Sequence, residues 1–220
     1  MCGRFTLRTP NQIIAEEFML IAAPQLEFRF NIAPTTDVAV VRGDEDGRVL
    51  SAMRWGLVPF WADDPSIGAK MINARGETAA EKPSFREAYK KRRCLVIADG
   101  YYEWTKVDGG KQPYYFHMPE GRPFAFAGLW ESWDKGRLGP LETCTIITTH
   151  ASEQTRPFHH RMPVILDSQD YDRWLLTDAA NTSELADLLV PLPEGRLAID
   201  EVSKLVNNAR NDDENCIVAI

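Results

Sequence analysis

The stretch Cys94-Leu95-Val96-Ile97-Ala98-Asp99-Gly100-Tyr101-Tyr102-Glu103-Trp104 joins an apolar run, a two-residue turn signal and an alternating aromatic segment. A short apolar run bounded by Asp-Gly is a buried strand, and the alternation after it marks a second strand with two unlike faces. Downstream the pattern repeats. Gly109-Gly110 turns the chain, and Pro113 to Met118, Pro123 to Trp130 and Leu141 to Thr149 continue as strands. Upstream, Asp37 to Arg42 and Arg48 to Trp55 flank the turn Gly43-Asp44-Glu45-Asp46-Gly47, which predicts a hairpin. Val164 to Leu166, Arg196 to Val202 and Cys216 to Ile220 add further strands. Strands separated by short Gly/Pro turns predict a long antiparallel meander, curved or barrel-like.

Helices flank this sheet. Thr9-Pro10-Asn11-Gln12 has the form of a capping box with Pro at the first helical position. Ile13, Ile14, Phe18 and Met19 form its apolar stripe, and the helix is expected to run into Ala22-Ala23-Pro24, where Pro24 stops it. Pro83 to Arg92 fits a helix with Phe85, Ala88 and Tyr89 inward, ending in Lys90-Lys91-Arg92-Arg93. That basic run is either a solvated helix C-terminus favoured by the dipole or a phosphate contact. Ser168 to Leu176 and Thr182 to Val190 also read as helices, and His150 to Met162 is a loop rich in His and Arg. No repeat or low-complexity linker divides the chain. The expectation is α+β: one domain over residues 1–220, mainly antiparallel and barrel-like, with flanking helices.

With 220 residues the chain can bury a core without staples. Its net charge of −7, from 25 basic and 32 acidic residues, argues against coating nucleic acid by bulk attraction but allows a local basic groove. Cys2, Cys94, Cys144 and Cys216 are far apart and have no zinc-type spacing, so no metal is expected. Cys94 and Cys144 lie in apolar runs as small buried hydrophobes. No leader and no membrane-length apolar stretch is seen, which points to a soluble protein of a reducing compartment.

Cys2 stands out chemically. Removal of Met1 leaves a thiol and a free α-amine on adjacent carbons, and both have reactive fractions near neutral pH. Such a pair attacks one aldehyde twice, first forming an imine and then closing a five-membered thiazolidine. On Cys2 alone, a chance cysteine beside the start is the simpler account. Glu103 lies in the alternating strand and shares a face with Tyr101, while Tyr102 and Trp104 share the other. In a cleft Glu103 is a general acid/base with a raised pKa, and on an edge it is a solvated carboxylate. His159-His160 supplies an imidazole that titrates near neutrality, or a surface pair. Asn73 either orients an amine or sugar hydroxyl or caps a turn. Trp55 belongs to the core, whereas Phe60 and Trp61 offer an exposed stacking surface.

Met1-Cys2-Gly3-Arg4-Phe5, Phe30-Asn31-Ile32-Ala33-Pro34, Asn73-Ala74-Arg75-Gly76-Glu77-Thr78, Asp99-Gly100-Tyr101-Tyr102-Glu103-Trp104 and His159-His160-Arg161-Met162-Pro163 occur in that order. Val202-Ser203-Lys204-Leu205-Val206-Asn207-Asn208 follows. The ordered set resembles the SOS response-associated peptidase (SRAP) family, the abasic site processing proteins. The resemblance implies a covalent sensor of abasic sites in single-stranded DNA, with lyase and self-processing peptidase character and no cofactor. By motif position, Cys2 is the nucleophile, Glu103 shuttles protons, His159 assists ring opening and Asn73 positions amine and sugar. Arg4, Arg75 and Arg161 would bind DNA, and Asn31, Pro34 and Trp61 would line its path. One departure stands at His160, where the family loop has Asp. The resemblance further implies a monomer without membrane contact, cytoplasmic and nucleoid-associated if bacterial.

Two rivals remain open at this point. An N-terminal-nucleophile glutamine amidotransferase also begins Met-Cys-Gly, but this chain has no Asn-Gly pair for its oxyanion hole. A non-covalent single-strand-binding module would leave Cys2 incidental.

Overall fold

The computed structural model describes residues 2–22, 24–44, 46–136 and 139–220. In chain order the elements are β1 (Phe5–Leu7), α1 (Asn11–Glu17), β2 (Arg29–Ile32), β3 (Asp37–Asp44), β4 (Gly47–Trp55) and β5 (Asn73–Arg75). Next come α2 (Gly76–Ala79), α3 (Arg86–Lys91), β6 (Arg93–Ala98), β7 (Gly100–Val107), β8 (Gly110–His117), β9 (Phe124–Trp133) and β10 (Leu141–His150). β11 (Arg161–Pro163), β12 (Ile165–Leu166), α4 (Tyr171–Leu176) and β13 (Ala198–Glu201) complete the set. The structure is α+β and mostly strand, as expected.

The predicted hairpin is β3–β4, paired from Asp37–Arg54 to Asp44–Gly47; Glu45 of the expected turn lies outside the described residues. The single meander is corrected to two sheets. One closes on itself: β10 pairs with β4, β4 with β3, β3 with β6, β6 with β9, and β9 returns to β10. The other runs β13-β8-β7-β1-β2. The chain crosses between sheets at Asp99-Gly100, which reads locally as a hairpin turn. Gly100 permits the crossing because a Cβ there would sit 2.2 Å from the Tyr115 ring. The pairing is also not wholly antiparallel. β10 runs parallel to β4 and to β5, and the long chain between them supplies the crossover that parallel strands need.

Other expectations are corrected by competition for side chains. Thr9 does not cap α1; its hydroxyl donates to Asp99 Oδ2 at 2.9 Å, and Pro10 is the N-cap with no side-chain bond. α1 ends at Glu17, because Phe18 is drawn into the core against Tyr171, with ring centroids 5.5 Å apart. Met19 then turns left-handed at φ 48°, well before Pro24; Ala23 of the expected end lies outside the described residues. The basic run after α3 serves the fold. Arg93 is buried and donates to the carbonyls of Tyr89, Lys90, Trp174 and Thr177, so one guanidinium closes the C-terminal ends of α3 and α4. Arg92 pairs with the buried Glu131 at 2.7 Å. Thr182 to Leu188 is a 3-10 segment rather than an α-helix. The expected strand Cys216 to Ile220 is a short 3-10 turn followed by one bridge, Val202 to Ala219. No helix among the described residues is long and apolar enough to cross a membrane.

Asp99 ties the crossing point to the chain start. It is 1% exposed and accepts from Thr6 Oγ1 at 2.5 Å, the Arg8 backbone N–H at 2.5 Å and Thr9 Oγ1 at 2.9 Å. Removing it leaves the Arg8 N–H and the Thr9 hydroxyl without this acceptor, while Thr6 keeps Gly100 and Tyr115. Asp99→Ala is therefore expected to destabilise the protein by roughly 3 kcal/mol in urea unfolding. A loss below about 1 kcal/mol would show that the clamp carries little.

Candidate active site at the chain start

β1 lies between β2 and β7, so the first residues are held on both edges. Phe5 faces Tyr101, and the Tyr102 N–H donates to the Arg4 carbonyl at 3.0 Å. Continuing that register by two residues sets Glu103 beside Gly3. Cys2 is fully buried, and Glu103 is 5% exposed on the face it shares with Tyr101. Asn73 arrives from the other sheet. The second half of β10 carries β5 on one edge, with Ile146 opposite Asn73 and Thr148 opposite Arg75. It carries β11 on the other, with His150 opposite Arg161. The Asn73 side-chain N–H donates to the Cys2 carbonyl at 2.8 Å and bridges the two sheets at the chain start. Asn73 Oδ1 is buried and has no hydrogen-bond partner among the described residues.

Charge is scarce in this pocket. Burial pushes the Cys2 thiol far above its usual range, and the Glu103 carboxylate adds to that shift. Burial likewise raises Glu103, opposed by the positive charge of the N-terminus. A carboxyl shifted upward in this way holds a proton more readily than a solvated one.

His159 sits on the loop before β11. That loop is pinned by buried Thr155 and by Phe158, which packs edge-on against Tyr114 and Phe116. The Arg161 backbone N–H, whose proton is fixed, donates to His159 Nδ1 at 2.9 Å. Nδ1 is therefore the acceptor, and the neutral ring carries its proton on Nε2. Burial lowers the His159 pKa to about 4, helped by the N-terminal charge and by His160. The His160 ring is stacked on it, with centroids 4.3 Å apart. At neutral pH His159 is an uncharged Nε2–H donor.

The other predicted residues occupy several settings. Arg75 is exposed. Arg161 forms a bidentate pair with Glu77. Arg4 is half-buried; its Nη1 donates to Asn31 Oδ1 at 2.7 Å and to the Val206 carbonyl at 3.1 Å. Asn31, expected along a DNA path, is instead 1% exposed, and its amide reaches the carbonyls of Val206, Asn208 and Asn211. It latches the C-terminal segment behind Arg4. Pro34 is half-buried at the end of β2, and Trp61 and Phe60 are exposed, whereas Trp55 is buried. Sequence reasoning missed Trp104, Lys111 and Asn207, which form with Gly3 and Arg4 a cleft of about 410 Å³. The signal was present in the alternation that turns Trp104 away from Glu103. Glu77 was also missed.

The unfolded chain protonates His159 near 6.5 and the folded chain near 4. The unfolded state thus binds the extra proton between these values. This group favours folding above 6.5, and that contribution is lost as pH falls toward 4. In an NMR titration the His159 midpoint is expected at about 4. His160→Asp is expected to raise it by about one pH unit, by exchanging a stacked base for an anion. A wild-type midpoint near 6.5 would contradict this electrostatic picture.

Known proteins resemble this chain in sequence and in fold. A family model described as "SOS response associated peptidase (SRAP)" matches residues 1–209. The abasic site processing protein YoqW of Bacillus subtilis is 40% identical over 99% of both chains. The abasic site processing protein HMCES of Gallus gallus is 39% identical over 80% of this chain and 59% of its own length. A crystal structure of a Bacteroides thetaiotaomicron protein superposes with a TM-score of 0.88 at 25% identity over 100% of both chains. By these matches the chain belongs to the SOS response associated peptidase (SRAP) family.

Proposed function

We propose that this protein, as a single domain over residues 1–220, processes abasic sites in single-stranded DNA by covalent capture at Cys2. The observation that carries the proposal is the burial of Cys2 between Asn73, which holds its carbonyl, and Glu103, whose charge acts on its thiol. The names of the curated relatives support the same substrate class.

Chemistry begins with removal of Met1, which places the α-amine next to the thiol; processing by the chain itself is our favoured route. The ammonium then lies against Glu103, and a cation beside a thiol favours its thiolate. Abasic deoxyribose opens to an aldehyde, with the His159 Nε2–H donating to the sugar oxygen. The amine adds to the aldehyde carbon, and the carbinolamine loses water once Glu103 delivers a proton to the leaving hydroxyl. Asn73 Oδ1 accepts from the amine and aims it. The sulfur then adds to the imine carbon while its proton passes to nitrogen, closing the thiazolidine. One water leaves, and no oxidant or cofactor takes part. Before the sulfur closes the ring, the imine acidifies the neighbouring sugar C–H; the Glu103 carboxylate takes that proton, a C–C double bond forms and the 3′ phosphate leaves by β-elimination, which accounts for lyase character. Arg4, Arg75 and Arg161 serve the flanking phosphates, Trp61 offers a stacking face beside a path bounded by Pro34, and Asn31 acts by holding Arg4. The protein works as a monomer and, in a bacterium, at the nucleoid.

On a denaturing gel, abasic single strands are expected to give a heat-stable shifted band, with less from paired duplex and none from intact strands. Equal yields from duplex and single strands would contradict the single-strand preference. Glu103→Gln keeps shape and removes the proton shuttle, so adduct formation or reversal is expected to slow by roughly 10²-fold with little change in stability. Wild-type rates in both directions would mean that Glu103 is not the shuttle.

A further inference from the structure

Arg161 is already occupied. Its Nη1 and Nη2 donate to Glu77 Oε1 at 2.6 Å and Oε2 at 2.8 Å, a fork-on-fork pair. Paired carboxylate oxygens in that position match the two oxygens that a DNA phosphate would present. The pair is not required to aim the guanidinium, because Nη2 also donates to the Thr148 carbonyl at 2.6 Å. The Glu77 side chain is 48% exposed and that of Arg161 12% exposed. The carboxylate side of the pair is half exposed, so an anion arriving from solvent can compete with Glu77 for the mostly buried guanidinium. Arg75 stands opposite Thr148 on the neighbouring strand, exposed and without a hydrogen bond or ion pair among the described residues. Two arginines therefore come from the two strands that flank Thr148, one available and one neutralised.

We infer that Glu77 is a built-in competitor for the DNA phosphate at Arg161, which keeps the hold on undamaged single strands weak. The inference rests on the proposed DNA site and concerns its selectivity. A protein that commits through a covalent bond gains little from tight binding to intact DNA and must leave it quickly. A phosphate reaching Arg161 has to displace Glu77, so this contact adds little net affinity and releases less counterion than Arg75 does.

The test is fluorescence anisotropy with an undamaged oligonucleotide over a range of salt, using wild type, Glu77→Gln and the double variant Glu77→Gln/Arg161→Ala. Gln keeps the shape and one acceptor for Arg161. Glu77→Gln is expected to tighten binding roughly threefold to tenfold at low salt and to steepen the log–log salt dependence by about 0.7, the increment for one further phosphate contact on a single strand. The double variant is expected to lose both gains. Unchanged or weaker binding by Glu77→Gln, with its melting temperature unaltered, would overturn the inference. So would a gain that survives in the double variant, since bulk charge and not Arg161 would then be responsible. Adduct yield on abasic strands is measured in parallel. If wild type forms no adduct the parent proposal fails, whereas normal adduct with unmoved anisotropy sinks only the role of Glu77.

Discussion

The structure depends on making the chain start a central strand. β1 has three residues, yet it is paired on both edges, by β2 through Phe5–Ile32 and by β7 through Phe5–Tyr101. Asp99 then gathers Thr6, Arg8 and Thr9 at its far end. An N-terminus normally frays, because nothing beyond it helps to order it. Here it is fixed between two strands and pinned to the other sheet by Asn73. The proposed role of Cys2 needs this restraint, since loose placement forfeits most of the benefit of proximity.

The groups around that strand are buried, and their protonation behaviour follows from this. Burial raises Glu103 and lowers His159, so both are biased toward their neutral forms. Asn73 Oδ1 is a buried acceptor without a partner among the described residues. The charged groups are kept at the rim: Arg75 is exposed, Arg161 is held by Glu77, and Arg4 is tied to Asn31. Net charge of −7 and a nucleic-acid substrate are compatible because only a few local guanidiniums are needed.

Local patterns exposed the elements, and long-range competition hid their arrangement. The apolar run Cys94 to Ala98 and the alternation after Gly100 identified β6 and β7 by period alone. That these strands belong to different sheets depends on Tyr115 packing over Gly100, which no local window contains. Thr9 looked like a cap because capping is a contact of near neighbours; Asp99, 90 residues away, took its hydroxyl. In the site, Cys2 stands out by the amine and thiol it offers once Met1 is removed and Glu103 by its place in an alternating aromatic strand, but each alone has a simpler account and only the ordered motifs join them. The Asn73–Cys2 bond spans 71 residues and the Arg161–Glu77 pair 84, so Asn73 was placed through family resemblance and Glu77 was not found. Asn31 was assigned to the DNA path by its motif, and its burial became visible only with the C-terminal segment in place.

The central claim is that Cys2 closes a ring on the lesion through both of its arms. Mass spectrometry of the protease-digested adduct with abasic single-stranded DNA tests it most directly. The expected product is an N-terminal peptide lacking Met1, joined at Cys2 to the deoxyribose remnant, with the summed mass less one water and no alkylatable thiol at Cys2. An adduct on a lysine, on a peptide that retains Met1, or on a Cys2 whose thiol is still free would contradict it.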